Sequence, residues 1–144
     1  MTVDEQIAAL IPHAGRMCLL ERIVHWDDSS VTLATTTHRD PDHPLATPAG
    51  LRAIHLCEYG AQAMAVHGGL SARARGERAL PGLLVSLRDV TLGCDFVQDL
   101  EGELLVEARR LHESDTAWQY EFRVTHAGKL LAQGRSTVSV APRG

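Results

Sequence analysis

Residues 51–67 constrain this chain more than any other stretch. They read as one long helix, closed at its C-terminus by Gly68-Gly69. Leu51, Ala53, Ile54, Leu56, Cys57, Ala61, Met64, Ala65 and Val66 make it apolar on nearly every side. A helix lying on a surface keeps a broad polar face, so one that is apolar all round must be covered by other elements. The rest of the chain offers strands for that cover. Residues 19–26 and 31–37 are β-rich runs separated by the turn-forming Asp27-Asp28-Ser29-Ser30. Four strand-like stretches follow the helix, at 83–92, 103–112, 118–126 and 129–140. The third alternates strictly, with Trp118, Tyr120, Phe122 and Val124 on one face and Gln119, Glu121, Arg123 and Thr125 on the other. That pattern belongs to an antiparallel strand with one solvated side. Ala127-Gly128 reads as a hairpin turn between the last two strands. A short helix at 3–11, ended by Pro12, precedes everything else. With no alternation of strands and helices, the order predicts an α+β chain. Its antiparallel sheet of about six strands wraps around the helix in a single hot-dog domain.

Composition narrows the functions open to such a fold. A chain of 144 residues buries enough surface to fold without disulfides or a structural metal. Lys and Arg total 14 against 18 Asp and Glu, a net charge of -4, which argues against a general nucleic-acid binder. The first ten residues carry Asp4 and Glu5 and lack a basic start, so no secretory signal is expected. No apolar run approaches the roughly 18 residues that span a bilayer. The expectation is a soluble, cytoplasmic protein. Cys18, Cys57 and Cys94 have neither disulfide nor zinc spacing, and no metal is expected.

Three polar residues interrupt the long helix, and offsets of three and four place His55, Glu58 and Gln62 on one face. A carboxylate among apolar residues either faces a groove or interface and pairs with an arginine, or has its proton affinity raised by burial until it can transfer protons near neutral pH. His43 lies just before the helix in a loop, residues 38–50, that holds Pro41, Pro44 and Pro48. These prolines stiffen the loop and could hold His43 over the helix N-terminus as the basic partner of Glu58. Backbone N–H groups near Arg52 and Ala53 would then face a developing oxyanion. His55, one turn before Glu58, is a second candidate base, or a group that merely orients the carboxylate. Gln62, one turn after, is a candidate orienting donor. His13, His25, His112 and His126 fall near element ends, and His67 reads as a cap of the long helix. No phosphate loop, GxSxG elbow or HExxH sequence occurs.

Three stretches resemble the 3-hydroxyacyl-acyl-carrier-protein dehydratases. Ile11-Pro12-His13 through Leu19-Leu20-Glu21-Arg22 is similar to that family's opening L-P-H-x-x-x-x-L-L-D-R. Asp42-His43-Pro44 stands where the family has its G-H-F-P histidine, and Cys57-Glu58-Tyr59-Gly60-Ala61-Gln62-Ala63 resembles its I-E-A-L-A-Q-A helix segment. Within the group, the chain looks most like the dehydratase-like proteins of aryl-polyene and xanthomonadin pigment clusters. Beyond residue 68 the likeness rests on strand order and on Glu101-Gly102-Glu103-Leu104, similar to P-G-D-x-L. The resemblance implies a hot-dog dimer without a cofactor, with the acyl chain between subunits. It implies His43 as the base at the substrate α-carbon and Glu58, from the partner subunit's helix, as the acid at the β-hydroxyl. The chain departs from the family in three ways. The His43-to-Glu58 spacing is one residue longer, Asp42 replaces a glycine, and Leu51-Arg52-Ala53 replaces M-P-G, so Ala53 would supply the N–H that binds the thioester carbonyl. His55 replaces an apolar family position.

The expected function is therefore dehydration of 3-hydroxyacyl groups on acyl carrier protein to trans-2-enoyl groups. The protein would work as a homodimer or as a heterodimer with a related dehydratase. Arg73, Arg75 and Arg78 are the candidate landing site for an acidic carrier, or simply a solvated connector. A non-catalytic subunit that binds a carrier or an active dehydratase, and an acyl thioesterase, are the alternatives.

Overall fold

The computed structural model describes residue 7, residues 17–77 and residues 82–140; of side chains it omits those of 82–85 and 140. The expected helix at 3–11 lies outside this set except for Ile7, which is buried, and so do His13 and Arg78. Six strands are present: β1 (Arg22–Trp26), β2 (Ser30–Thr35), β3 (Gly82–Leu92), β4 (Leu104–Glu113), β5 (Ala117–His126) and β6 (Lys129–Val140). One long helix, α1 (Leu56–Ala74), falls between β2 and β3. All strand pairs are antiparallel, in the order β1-β2-β4-β5-β6-β3, and α1 packs on β2, β4, β5 and β6. This is the hot-dog arrangement.

Local chemistry sets the turns. Asp27 caps the β1–β2 turn: its carboxylate accepts the N–H groups of Ser29 and Ser30, both at 2.9 Å. The Ser29 amide and hydroxyl hold the Asp27 carboxyl down to about 2. Ala127 and Gly128 both take positive φ, 49° and 81°, as a tight hairpin between right-twisted strands requires. β5 alternates as its sequence predicts, with Tyr120, Phe122 and Val124 buried. Arg22 on β1 forms a two-bond pair with Glu103 at 2.6 and 3.0 Å, which ties the Leu19–Arg22 stretch to the Glu101–Leu104 stretch.

The helix is displaced toward the C-terminus from its expected span of 51–67. Residues 51–52 stay out of the helix, and the backbone of this stretch pairs with a neighbouring segment. Val97 N–H donates to the Leu51 carbonyl at 3.0 Å, and Ala53 N–H donates to the Asp95 carbonyl at 2.8 Å. A 3₁₀ turn, Ala53–His55, then leads into α1. Nor does Gly68-Gly69 end the helix, as expected. Both glycines are buried inside it, and a Cβ at Gly68 would come within 2.9 Å of the Trp118 ring. A Cβ at Gly60, two turns earlier, would come within 2.4 Å of Phe122. These glycines let the helix backbone lie directly on β5 rather than stopping the helix. The stop comes at Gly76, with φ +70°: its N–H donates to the Arg73 carbonyl at 3.0 Å and that of Glu77 to the Ala72 carbonyl at 2.8 Å. His67 is therefore no cap. It lies fully buried within the helix, between the Tyr120 hydroxyl at 2.8 Å and the Asp27 carbonyl at 3.0 Å. Arg73, expected in a connector, is exposed in the last helical turn, and Arg75 beside it pairs with Glu77 at 3.7 Å. Among the described residues no helix is long and apolar enough to cross a membrane.

Candidate active site

The loop between β2 and α1 is built from consecutive short turns. His43 N–H donates to the Asp40 carbonyl, and Ala46 N–H to the His43 carbonyl, both at 3.1 Å. Proline at 41, 44 and 48 removes competing donors and fixes φ. The loop presses the His43 imidazole, only 5% exposed, onto the helix. There Nε2 meets the Tyr59 hydroxyl at 2.9 Å, and Nδ1 accepts the Leu45 N–H at 3.0 Å. The rings of His43 and Tyr59 lie nearly parallel, 21° apart. Burial pushes the His43 pKa below the ordinary histidine value, and it pushes the Tyr59 pKa up. Both groups are thereby held neutral.

Glu58 is half buried on the adjacent face of α1, about 100° around the helix from Tyr59. Gln62, one turn on, is fully buried and holds Glu58 from below. Its Nε2 donates to Glu58 Oε1 at 3.3 Å and to the Met17 carbonyl at 2.6 Å, and its Oε1 accepts Leu19 N–H at 2.9 Å. Gln62 thus anchors the strand entering β1 as well as orienting the carboxylate. His55 stands half buried immediately before α1, one turn from Glu58. It is close enough to His43 that a charge on it disfavours protonation of the His43 ring. Within this chain, then, His55, Glu58 and Gln62 gather on one side, whereas His43 is bonded to Tyr59.

The Ala53 N–H, expected to face an oxyanion, is committed to the Asp95 carbonyl at 2.8 Å. Arg52 next to it lays its guanidinium over the Phe96 ring, 5.0 Å from the centroid. Cys57, between Leu56 and Glu58, packs against the core, and burial raises its thiol pKa. Among the described residues, no three His, Cys, Asp or Glu side chains gather in a way that would hold a metal ion. A cleft of about 370 Å³ opens beside the loop, lined by residues of 38–41, 46–51 and 98–99. Neither His43 nor Glu58 lines it.

Sequence reasoning did not single out Tyr59, Thr37 or Glu21. Tyr59 is one of two tyrosines in the chain, and a polar-tipped ring inside an apolar helix needs a hydrogen-bond partner. That was the available signal. The Thr37 and Tyr59 hydroxyls share a hydrogen bond of 2.8 Å, and buried Glu21 accepts from the Thr36 amide and, at 2.9 Å, from its hydroxyl.

Comparison with known proteins agrees with this architecture. The chain is similar to the dehydratase heterocomplex ApeI:P from Xenorhabdus doucetiae at 25% identity and a TM-score of 0.83, over 95% of this chain and 91% of that one. A mutant thioesterase from Staphylococcus aureus superposes at a TM-score of 0.62 and 15% identity, over 84% of this chain and 93% of that one. A hypothetical thioesterase with coenzyme A from Streptococcus pneumoniae does so at 0.60 and 13% identity, over 85% and 86%. At such identities these two likenesses are of fold alone. No curated protein sequence matches. The ApeP-like family model, described as ApeP dehydratase, matches residues 5–143, nearly the whole chain with its helix and all six strands, and so the chain belongs to the ApeP-like dehydratase family.

Proposed function

We propose that this protein dehydrates 3-hydroxyacyl groups carried on acyl carrier protein to trans-2-enoyl groups, in aryl-polyene or related synthesis, as one half of a complex with a related dehydratase. The observation that carries the proposal is the Glu58 carboxyl. It is half buried on an otherwise apolar helix and held by Gln62, in a chain of a dehydratase family. A carboxyl so placed protonates a departing hydroxyl, while an imidazole removes the α-proton. His43 fills the second role, at a site formed where the helix of one subunit meets the loop of the other. The similar ApeI:P protein is a dehydratase heterocomplex, which supports a related dehydratase as the partner.

A second reading has its own support. Ala53 N–H and both His43 nitrogens are engaged within the chain. A subunit that completes a partner's site without turning over substrate alone would carry such features. One experiment separates the two readings. The chain, alone and co-purified with a related dehydratase, is given a 3-hydroxyacyl carrier protein, and loss of one water is followed by mass. Turnover by the complex that Glu58→Gln removes supports the first reading. Turnover equal in wild type and Glu58→Gln supports the second. Absence of dehydration under either condition, with hydrolysis of the thioester instead, overturns both.

A further inference from the structure

The hydrogen bonds around His43 fix a direction. The Leu45 amide can only donate, so Nδ1 must offer it a lone pair. In the neutral ring Nε2 then carries the hydrogen and donates to Tyr59 Oη at 2.9 Å. Tyr59 passes its own hydroxyl hydrogen to Thr37 Oγ1 at 2.8 Å, and Thr37 donates to the Leu19 carbonyl at 2.8 Å. Tyr59 Oη and Thr37 Oγ1 each accept from the group before and donate to the next, with Thr35 Oγ1 3.0 Å from Thr37 Oγ1, and the chain ends on an acceptor. Reversing it would place an Nδ1–H against the Leu45 N–H at 3.0 Å, two donors face to face. The far end is anchored too. Thr35 Oγ1 also donates to the Leu19 carbonyl at 2.6 Å, and Gln62, which holds Glu58, accepts the Leu19 N–H at 2.9 Å. His43 and Glu58 of one chain are thus tethered to the same residue, through Tyr59 and Thr37 on one side and Gln62 on the other.

We propose that Tyr59 is a positioning residue that accepts from His43 Nε2–H and holds the ring in the tautomer the Leu45 amide selects, leaving Nδ1 as the ring atom that receives a proton. The inference rests on reading His43 as the base. In the step, the Cα–H bond breaks and its proton goes to Nδ1, displacing the Leu45 amide. The electron pair closes the Cα–Cβ double bond as the C–O bond breaks. The hydroxyl leaves as water with the Glu58 proton, and the imidazolium proton later returns to the carboxylate through solvent. Throughout, Nε2–H stays on Tyr59, whose oxygen favours the positive ring. Because the chain ends on a carbonyl, it orients and polarises the ring without conducting a proton.

Tyr59→Phe keeps the fully buried ring and removes only the hydroxyl. In the complex with a related dehydratase, kcat is expected to fall roughly 10- to 100-fold with KM unchanged, a part of what a positioned base supplies. The acid limb of the kcat profile should move to lower pH, because Nε2–H loses the acceptor that favours the charged ring. A merely structural tyrosine would lower the yield of folded protein without moving that limb. The second measurement needs no turnover. Ring ¹⁵N spectra of the full chain, with the His43 signals assigned by their loss in His43→Gln, should show one Nε2–H tautomer at neutral pH. An Nδ1–H tautomer or a mixture overturns the proposal, as does Tyr59→Phe with unchanged kcat and pH limb. If the wild-type complex dehydrates nothing, the dehydratase reading falls, and the ring spectrum still decides the tautomer.

Discussion

Gln62 shows how much one buried side chain can hold. Its amide meets three groups, the Leu19 N–H, the Met17 carbonyl and Glu58. Gln62→Leu keeps the volume but leaves the buried Leu19 N–H unsatisfied, a cost of about 1–3 kcal/mol. Urea denaturation of the variant should show that loss, and an unchanged midpoint would mean that the 17–19 segment finds other partners. Gln62→Glu is expected to be worse, since it replaces the donor to the Met17 carbonyl and sets a second carboxylate beside Glu58. At this scale the sequence was readable where chemistry repeats at helical spacing. His55, Glu58 and Gln62 share a face because offsets of three and four must. The pairing of His43 with Tyr59 was not readable, because the loop path that brings them together is set by turns at Asp40 and His43.

At the scale of elements, the glycines of α1 taught the most. Gly68-Gly69 looks like a helix stop, since glycine is poor in helix interiors and common just past their ends. Which role a glycine takes depends on what stands opposite it. Phe122 and Trp118 on β5 stand opposite Gly60 and Gly68 and leave no room for a Cβ. Gly60→Ala should therefore destabilise the fold by about 1–3 kcal/mol through overpacking, outweighing a helix-propensity gain of about 1 kcal/mol. Denaturant unfolding of that variant checks the sign, and a stabilised protein would mean that Phe122 swings aside cheaply. In contrast, Gly76→Ala meets no neighbour but forces a positive φ, so it should cost less and affect only the last turn of the helix. The strands were read within a few residues of their ends. β1 starts three residues later than its apolar pattern: Leu19 and Leu20 are buried, but the pairing of β1 with β2 begins at Arg22.

On the scale of the whole molecule, three histidines among the described residues are buried with lowered pKa. Desolvation is the leading cause at His38, His43 and His67 alike. In the unfolded chain each titrates near 6.5, and in the fold each resists protonation. The unfolded state therefore binds more protons below that value, so stability is full above it and declines as pH falls toward the folded values. Thermal unfolding measured from about pH 7.5 down to about pH 5.5 should show the midpoint falling, more steeply than in a His67→Gln variant. A midpoint flat across that range would mean these rings reach water in the native state.

The sequence by itself determined the α+β class, the six strands, a single apolar helix for them to cover and the face that carries Glu58. Each follows from a period of two or 3.6 residues, which the backbone imposes locally. It also carried the family likeness, through residues of the helix and the loop before it. Only the tertiary structure decided where that helix begins and ends. Leu51 and Ala53 pair with residues 95–97 instead of entering the helix, and Gly68 faces an indole instead of solvent. It alone decided which groups His43, Gln62 and His67 bond to. Those choices depend on segments 16 to 53 residues apart meeting in space. No local periodicity encodes such meetings, because they arise from the packing of the sheet against the helix.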